Sequence, residues 1–292
     1  STCSVFSWPY AQTIDKVASI AMKICLKFGI DLVEVIFVQN YNTDLNLISD
    51  IGFSWEFTDP IWLIKVDQVV SQLGIELRSE ETMEHYFVVI HVYSYEVTKI
   101  KIPIKMDWWS TLLGIKGNQL IIGMYQNQRN PGPITLMRYD WKSNEILEEI
   151  KNFQLHELTD TFIKGKVLKE EGFESLEISL GEEKNMEEIS LPTIFSSKSS
   201  AFDTVAAYLR RKNLEPKEEV AYLEVDDHIL ILYYLQNKDL LDKHLLWLKE
   251  EKVVQEFILD HQVQGISAES FMVLGKKLIF VQNRKNIKIY DL

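Results

Sequence analysis

Carboxylates and six histidines are the side chains of this 292-residue chain that could carry out chemistry. The histidines show no HExxH spacing, which would place two imidazoles on one helix face around a zinc ion. The sequence has neither a Gly-x-Ser-x-Gly nucleophile elbow nor a glycine-rich phosphate loop. Paired acids lie mostly at turns and strand edges, where solvated charge discourages edge pairing: Glu148-Glu149, Glu182-Glu183, Glu187-Glu188 and Asp226-Asp227. The sequence therefore predicts no metal site and no cofactor, and it leaves any catalytic residue unknown.

The composition restricts the partners and the compartment. The formal net charge is −12 and no basic stripe occurs, which makes nucleic acid and anionic membranes poor partners. Cys3 and Cys25 are too few for a disulfide framework or a cysteine-rich metal site. No apolar run reaches the roughly 18–20 residues of a membrane-spanning helix. We therefore expect a cytoplasmic monomer whose partner is an unknown protein or small molecule.

The elements that would position any functional side chain form a repeat. Short apolar strands rich in Val, Ile, Tyr and Phe are joined by polar turns, which is typical of antiparallel meanders. The clearest unit spans Ser110–Ile150, and Ala221–Leu259 matches it strand for strand. Further units begin at Ile61, Phe153 and Phe271. A four-strand unit of about 40 residues has the size of a β-propeller blade.

The last unit explains how such a ring would close. It ends after Ile287–Tyr290 without a fourth strand, whereas Phe53–Phe57 is a strand left over before the first unit. We therefore predict an all-β, five-bladed β-propeller in which these two strands pair and remove an exposed sheet edge. In the third unit, Met186–Leu191 is the predicted fourth strand. The alternative is an irregular β-sandwich or two stacked sheets.

Two segments depart from the repeat. Residues 1–46 predict an amphipathic helix and a strand, an N-terminal extension that either packs on the propeller or is not native to it. The propeller domain spans residues 51–292 and contains a helical insertion at 196–212. Ser199 or Ser200 would cap the inserted helix, and Arg210 and Arg211 suit its C-terminus.

Several short motifs resemble a known family. They are Phe53-Ser54-Trp55, Pro60-Ile61-Trp62, Trp108-Trp109 and Gly123-Met124-Tyr125 with its Pro-containing loop. Together they resemble an uncharacterised Bacteroidetes family known as a domain of unknown function (number 4905), over about Ile51 to Leu292. Met137–Trp141 and Ile287–Leu292, each with Tyr-Asp, are similar to quinoprotein-type propeller blades. Neither resemblance implies an activity, because a shared fold transfers no chemistry.

The long loops should collect at one end of the blades. In a four-strand meander, the link between units and the loop after the second strand emerge at the same end, which would become a working rim on a rigid body. The segments expected there are Arg78–His85, Trp108-Trp109, Gln126–Pro133, Ser196–Lys212 and Gln236–Asp242. The predicted binding residues are Trp108, Trp109, Asn127, Arg129, Asn130, Arg210 and Arg211, with one of the two tryptophans buried.

Four further residues are predicted to have structural roles. Asp140 and Asp291 should cap turns through backbone amides, and Tyr139 and Tyr290 should pack in the core.

Two interpretations of the function remain open. The missing nucleophile, phosphate and metal motifs favour a non-enzymatic protein that binds a protein or a small ligand. The alternative is a carboxylate-based hydrolase or lyase at the propeller axis, where the separation of two carboxylates would decide the chemistry.

Overall fold

The structure of this chain, a computed structural model, describes residues 52–104, 106, 108–125, 132–181, 186–263 and 271–292. The predicted extension at residues 1–46 lies outside this part of the chain, and its helix and strand stay predictions. The described elements in chain order are β1 (Phe53–Glu56), β2 (Ile61–Asp67), β3 (Gln72–Ser79), β4 (Glu84–His91), β5 (Val97–Ile100), β6 (Ser110–Lys116), β7 (Gln119–Tyr125), β8 (Ile134–Asp140), β9 (Glu145–Leu158), β10 (Phe162–Lys169), β11 (Gly172–Ser179), β12 (Ile189–Ser190), β13 (Thr193–Ser196), α1 (Ser200–Arg211), β14 (Glu219–Val225), β15 (His228–Asn237), β16 (Leu240–Lys249), β17 (Lys252–Val263), β18 (Phe271–Leu274), β19 (Lys277–Gln282) and β20 (Asn286–Asp291).

The described strands form four antiparallel sheets, so the all-β prediction is confirmed. Sheet I has the order β2-β3-β4-β5, and sheet II the order β11-β10-β9-β8-β7-β6. Sheet III runs β13-β14-β15-β16-β17, and sheet IV runs β1-β20-β19-β18-β12. Residues alternate between the two faces of each strand, which is why near-continuous apolar runs such as β15 can pack on both sides.

The predicted pairing between the two ends of the domain is confirmed. Strand β1 lies antiparallel to β20, with Phe53 opposite Ile289 and Glu56 opposite Asn286. The backbone N–H of Phe57 then donates to the carbonyl of Lys285 at 2.8 Å. A strand from the start of the described domain thus forms the edge of the sheet that contains its last strand.

The third predicted unit differs from the structure in two places. The sequence predicts separate strands at Glu145–Ile150 and Phe153–Leu158, but β9 is one continuous strand that pairs with β8 and then with β10. Asn152 has a φ of 57°, a left-handed conformation that asparagine tolerates, so the strand changes direction without ending. The predicted fourth strand, Met186–Leu191, is wrong for this unit, because Ile189 and Ser190 pair with β18 of sheet IV instead.

Shared hydrophobic cores stack the sheets face to face in the order III, IV, I, II. Leu245 and Trp247 of sheet III pack with Phe280 of sheet IV. Leu73 and Ile75 of sheet I pack with sheet IV on one side, while Phe87 and Val89 pack with Leu112 and Leu120 of sheet II on the other. Sheet II also folds back on itself, since Ile121 and Leu136 share a core with Ile163 and Ile178.

The helical insertion is confirmed as α1, which covers the free face of sheet III. The Ser199 side chain caps the helix by accepting a hydrogen bond from the Phe202 amide at 3.2 Å. Phe202, Val205, Ala206 and Leu209 are buried against residues such as Ile231 and Tyr233. Within the described part of the chain, this helix is too short and too polar to cross a membrane.

Candidate functional site

An arginine between two tryptophan rings stands out at one end of sheets I and II. The Arg78 guanidinium carbon lies 4.4 Å from the ring centroid of Trp62 and 5.2 Å from that of Trp108. Trp62 belongs to β2, Arg78 is the second-last residue of β3, and Trp108 precedes β6, so the stack joins two sheets. Arginine presents a flat, weakly hydrated cation that stacks well on indole faces.

A buried carboxylate holds this arginine in place. The Glu76 side chain is fully buried, and its Oε1 lies 2.6 Å from Arg78 Nη2 and accepts a hydrogen bond from Nε at 2.7 Å. Its Oε2 accepts from the Thr111 hydroxyl at 3.0 Å and from the Leu112 amide at 2.8 Å. Arg78 Nη2 also donates to the carbonyl of Ser110 at 3.1 Å. Each charge is therefore compensated by a partner, which a buried ion pair requires.

Around this ion pair lies the tryptophan surface, the name used below for Trp62, Trp108 and Trp109. Trp62 is 52% exposed and Trp109 is 41% exposed, while Trp108 is half-buried beneath Arg78. The prediction that one of Trp108 and Trp109 is buried is therefore wrong, because the guanidinium of Arg78 rather than a hydrophobic core covers Trp108. Exposed tryptophans on a rigid support are the side chains most able to contribute to a binding interface. Of the three, Trp108 and Trp109 are predicted binding residues, whereas the sequence gives no such prediction for Trp62 or for the Glu76–Arg78 pair.

The described parts of the long loops lie at one common end, which we call the loop end. In sheet II, Ser110 pairs with Met124 and Tyr125 pairs with Ile134, so Trp108 and Trp109 lie at the end where the β7–β8 loop begins. Two backbone hydrogen bonds connect the same end of neighbouring sheets. The amide of Ile61 in sheet I donates to the carbonyl of Arg284 in the β19–β20 turn of sheet IV, and the amide of Asn283 in that turn donates to the carbonyl of Leu259 in sheet III.

The other predicted binding residues fall into two groups. Asn127, Arg129 and Asn130 lie outside the described residues, so their role stays a prediction. Arg210 and Arg211 end helix α1 on sheet III, and the described cores place no residue of that helix against Trp108 or Trp109. Arg210 donates from Nε to both carboxylate oxygens of Glu215, at 3.2 and 3.0 Å, and this carboxylate raises the arginine pKa.

The structural expectations are confirmed with one exception. Asp140 accepts from the amides of Lys142 and Ser143, and Tyr139 and Tyr290 pack in hydrophobic cores. The turn-capping prediction for Asp291 is wrong, since its carboxylate lies 2.7 Å from the ammonium of Lys277. Asp291 is at the end of β20 in sheet IV, where β19 is its neighbour, so a cross-strand cation rather than a turn satisfies it.

Two of the histidines have their ring nitrogens engaged in ways that the sequence does not show. His228 Nδ1 accepts from the indole N–H of Trp247 at 2.9 Å, and its Nε2 lies 3.2 Å from Asp227. Burial lowers the pKa of His228, so the neutral form is favoured. His244 Nδ1 lies 3.0 Å from Glu256, which also accepts from the Tyr233 hydroxyl. Among the described residues, no group of three or more His, Cys, Asp or Glu side chains is arranged to hold a metal ion.

A comparison with protein-family models gives a partial match. A family model described as a domain of unknown function (DUF4905) matches residues 66–147, a segment that includes Glu76, Arg78 and the two adjacent tryptophans. The match supports an uncharacterised family over that segment. No curated protein matches the chain.

Among solved structures, the chain is similar to an acylaminoacyl peptidase from Pyrococcus horikoshii in an orthorhombic crystal form. The two are 11% identical with a TM-score of 0.25, and the similarity covers 80% of this chain and 38% of the peptidase. A similarity at this level establishes neither a shared fold nor an activity.

Proposed function

We propose that this protein is a non-enzymatic binding protein whose partner, a protein or a small ligand, docks on the tryptophan surface. The observation that carries the proposal is the pair of exposed rings, Trp62 at 52% and Trp109 at 41%, beside the buried Glu76–Arg78 ion pair. Because Arg78 is fixed by Glu76 and stacked on Trp62 and Trp108, the rings of Trp62 and Trp108 are ordered before a partner arrives. Preorganisation of this kind lowers the entropic cost of binding.

We further propose that the stacked sheets correspond to five propeller blades. The bend of β9 at Asn152 supports this count, because the second half of β9 with β10 and β11 packs back over β7 and β8 as a separate blade would. The pairing of β1 with β20 supports ring closure by a strand from the other end of the domain. Helix α1 covers the face of sheet III that would otherwise meet β9–β11, and it would fill that junction of the ring.

The strand edges near the centre of such a ring argue against the alternative of a hydrolase or lyase at its axis. The first strands of the repeat units would line an axial channel. In sheets III and IV these strands are β14 and β18, and their edges are paired with β13 and β12. The segment from Ile189 to Ser196 therefore covers both edges, which leaves less room for substrate at the axis.

The cellular setting is proposed on composition alone. The net charge of −12 and the use of only two cysteines support a cytoplasmic monomer whose partner is not a nucleic acid. Membership of a Bacteroidetes family with quinoprotein-like blades is a separate proposal, which the sequence motifs and the family match over residues 66–147 support.

Affinity capture with matched variants tests the proposed function. The test variant is Trp62→Ala/Trp109→Ala, and the control is Phe173→Ala, which removes a 61% exposed aromatic from β11. All three proteins are immobilised, checked for equal thermal stability and incubated with extract of the source cell. The proposal expects a component that wild type and control retain and the double variant loses. Equal recovery by all three, or turnover in a glycosidase, esterase and lyase screen, would overturn it.

A further inference from the structure

The tryptophan surface carries information about the chemistry of its ligand, because it already holds one cation. Arg78 shows that the Trp62 ring accepts a guanidinium at cation–π distance. Trp62 nevertheless keeps 52% of its surface exposed, so part of the ring is free to contact a second group. The Arg78 charge is neutralised by the buried carboxylate of Glu76, and this pair therefore adds little net repulsion toward an incoming cation.

The exposed charges beside the tryptophan surface are mainly negative. The loop that joins Arg78 to β4 presents Glu80 and Glu81, and Glu84 pairs with Ser79 at its base. Asp59 and Glu56 lie on the segment that leads into β2. Two cations are also near: Arg284 is exposed on the β19–β20 turn, and the Lys285 ammonium donates to the carbonyl of Thr58 at 2.6 Å. The two segments that contain Trp62 and Arg78, residues 56–62 and 78–84, thus carry five carboxylates, and Arg78 is their one cation.

An apolar contact adjoins these charges. Met83 is 57% exposed in the same loop as Glu80 and Glu81. A methionine thioether adapts to irregular partners, and the aliphatic stem of an arginine or lysine packs on such a group while its charged head reaches a carboxylate. The aromatic ring and the carboxylates suit the charged head of a long cationic side chain, and the methionine suits its aliphatic stem.

We infer that the ligand of the tryptophan surface is a basic peptide segment that places an arginine on the exposed part of Trp62 and sets neighbouring cations against the Glu80–Glu84 loop. This inference rests on the proposed function, since it names the partner chemistry for the same surface. The negative charge beside the tryptophan surface favours a cationic peptide over an acidic one. Charge complementarity of this kind governs specificity and association rate more than affinity.

A labelled peptide of alternating arginine and leucine is the probe, and fluorescence anisotropy measures its dissociation constant. The matched peptide replaces each arginine by citrulline, which keeps the shape and removes the charge. We expect the citrulline peptide to bind at least about tenfold more weakly, and the arginine peptide to lose affinity as salt is raised from about 50 to 200 mM. Trp62→Ala should weaken arginine-peptide binding about two- to fivefold, as expected for an exposed cation–π contact.

Charge variants complete the test. Glu80→Gln/Glu81→Gln/Glu84→Gln should weaken arginine-peptide binding, whereas Glu170→Gln/Glu171→Gln, on the exposed β10–β11 turn, should leave it unchanged. Equal binding of the arginine and citrulline peptides, no binding of either, or no effect of the triple variant overturns the cationic ligand. If the Trp62→Ala/Trp109→Ala protein still loses its captured partner in that case, the ligand chemistry is wrong and the binding surface stands. Equal capture by the double variant overturns both.

Discussion

Glu76 is the residue whose surroundings best explain why the tryptophan surface is rigid. It lies in β3 between Ile75 and Leu77, which are both fully buried. Its two oxygens take four contacts from β3 and β6, so one side chain links sheet I to sheet II. A buried charge with such a complete set of partners is strongly destabilising to break, even where the intact pair adds little net stability.

Glu76→Gln tests this role. The substitution keeps the shape but leaves the Arg78 guanidinium buried without a compensating charge, so we expect a loss of about 3–5 kcal/mol in the free energy of unfolding, measured by urea denaturation. The control is Glu177→Gln, which removes an exposed ion pair with Lys164 at 3.3 Å and should cost under about 1 kcal/mol. Similar costs for the two variants would show that Glu76 does not fix Arg78.

Lys243 supplies a second test at the scale of one residue, through pH. Its ammonium lies 5.9 Å from the Tyr234 ring, and burial lowers its pKa from 10.5 to about 8, with Asp260 acting in the opposite direction. Between pH 8 and 10.5 the folded state therefore binds fewer protons than the unfolded state. Stability from this group rises with pH across that window, because the unfolded state carries the extra proton.

Lys243→Met removes the charge and its pH dependence. We expect the variant to exceed wild type in stability at pH 7, with an advantage that shrinks by about 2 kcal/mol between pH 8 and pH 10. Urea denaturation at each pH measures the difference, and taking the difference cancels the titration of the buried tyrosines. Lys164→Met, which removes a lysine whose side chain is 42% exposed, is the control for replacing lysine by methionine. A pH-independent difference for Lys243→Met would contradict the assigned pKa.

At the scale of the element, helix α1 was predictable because its signals are local. Apolar residues at helical spacing, a serine before them and two arginines after them are all visible within the segment from Ser199 to Arg211. The structure resolves the one open choice, since Ser199 rather than Ser200 is the capping residue. Strand β9 was less predictable, because whether Asn152 ends a strand or bends it depends on β8 and β10, which pair with its two halves.

Ser199→Ala tests the cap. Loss of the hydroxyl that accepts from the Phe202 amide should lower the free energy of unfolding by about 1 kcal/mol, measured by thermal or urea denaturation. Ser200→Ala is the matched control: Ser200 is exposed at the first helical position, where alanine has the higher helix propensity. If the two substitutions have equal effects, the hydroxyl of Ser199 does not cap the helix.

At the scale of the whole molecule, periodicity predicts which residues form strands more reliably than which strands share a sheet. The spacing of apolar residues predicted the strands, and the incomplete last unit predicted the β1–β20 pairing. The assignment of β12 to sheet IV depends on pairing between segments distant in sequence, such as the hydrogen bond from the Gly275 amide to the Glu188 carbonyl. The sequence predicted only part of the tryptophan surface, because that surface also depends on contacts between segments distant in sequence. Trp62, Arg78 and Trp108 come from separate segments, and only the stacking of sheet I on sheet II brings them together.

The pairing of β1 with β20 predicts how the domain responds when its two ends are joined covalently. Ser54 lies directly opposite Lys288, so Ser54→Cys/Lys288→Cys, in a background with Cys3→Ser and Cys25→Ser, should form a disulfide on oxidation. Closing so long a loop restricts the unfolded chain, and we expect the melting temperature to rise by about 5–15 °C.

Calorimetry with and without reductant measures that rise, which should vanish when the bond is reduced. Glu56→Cys/Lys288→Cys in the same background is the control, because Glu56 pairs with Asn286 and lies two residues out of register. This control should form little disulfide, and its melting temperature should not rise on oxidation. A disulfide that forms in the first variant without raising the melting temperature would mean that β1 separates from β20 before the domain unfolds. In that case the strand would not belong to the cooperative unit, and the proposed closure of the ring would fail with it.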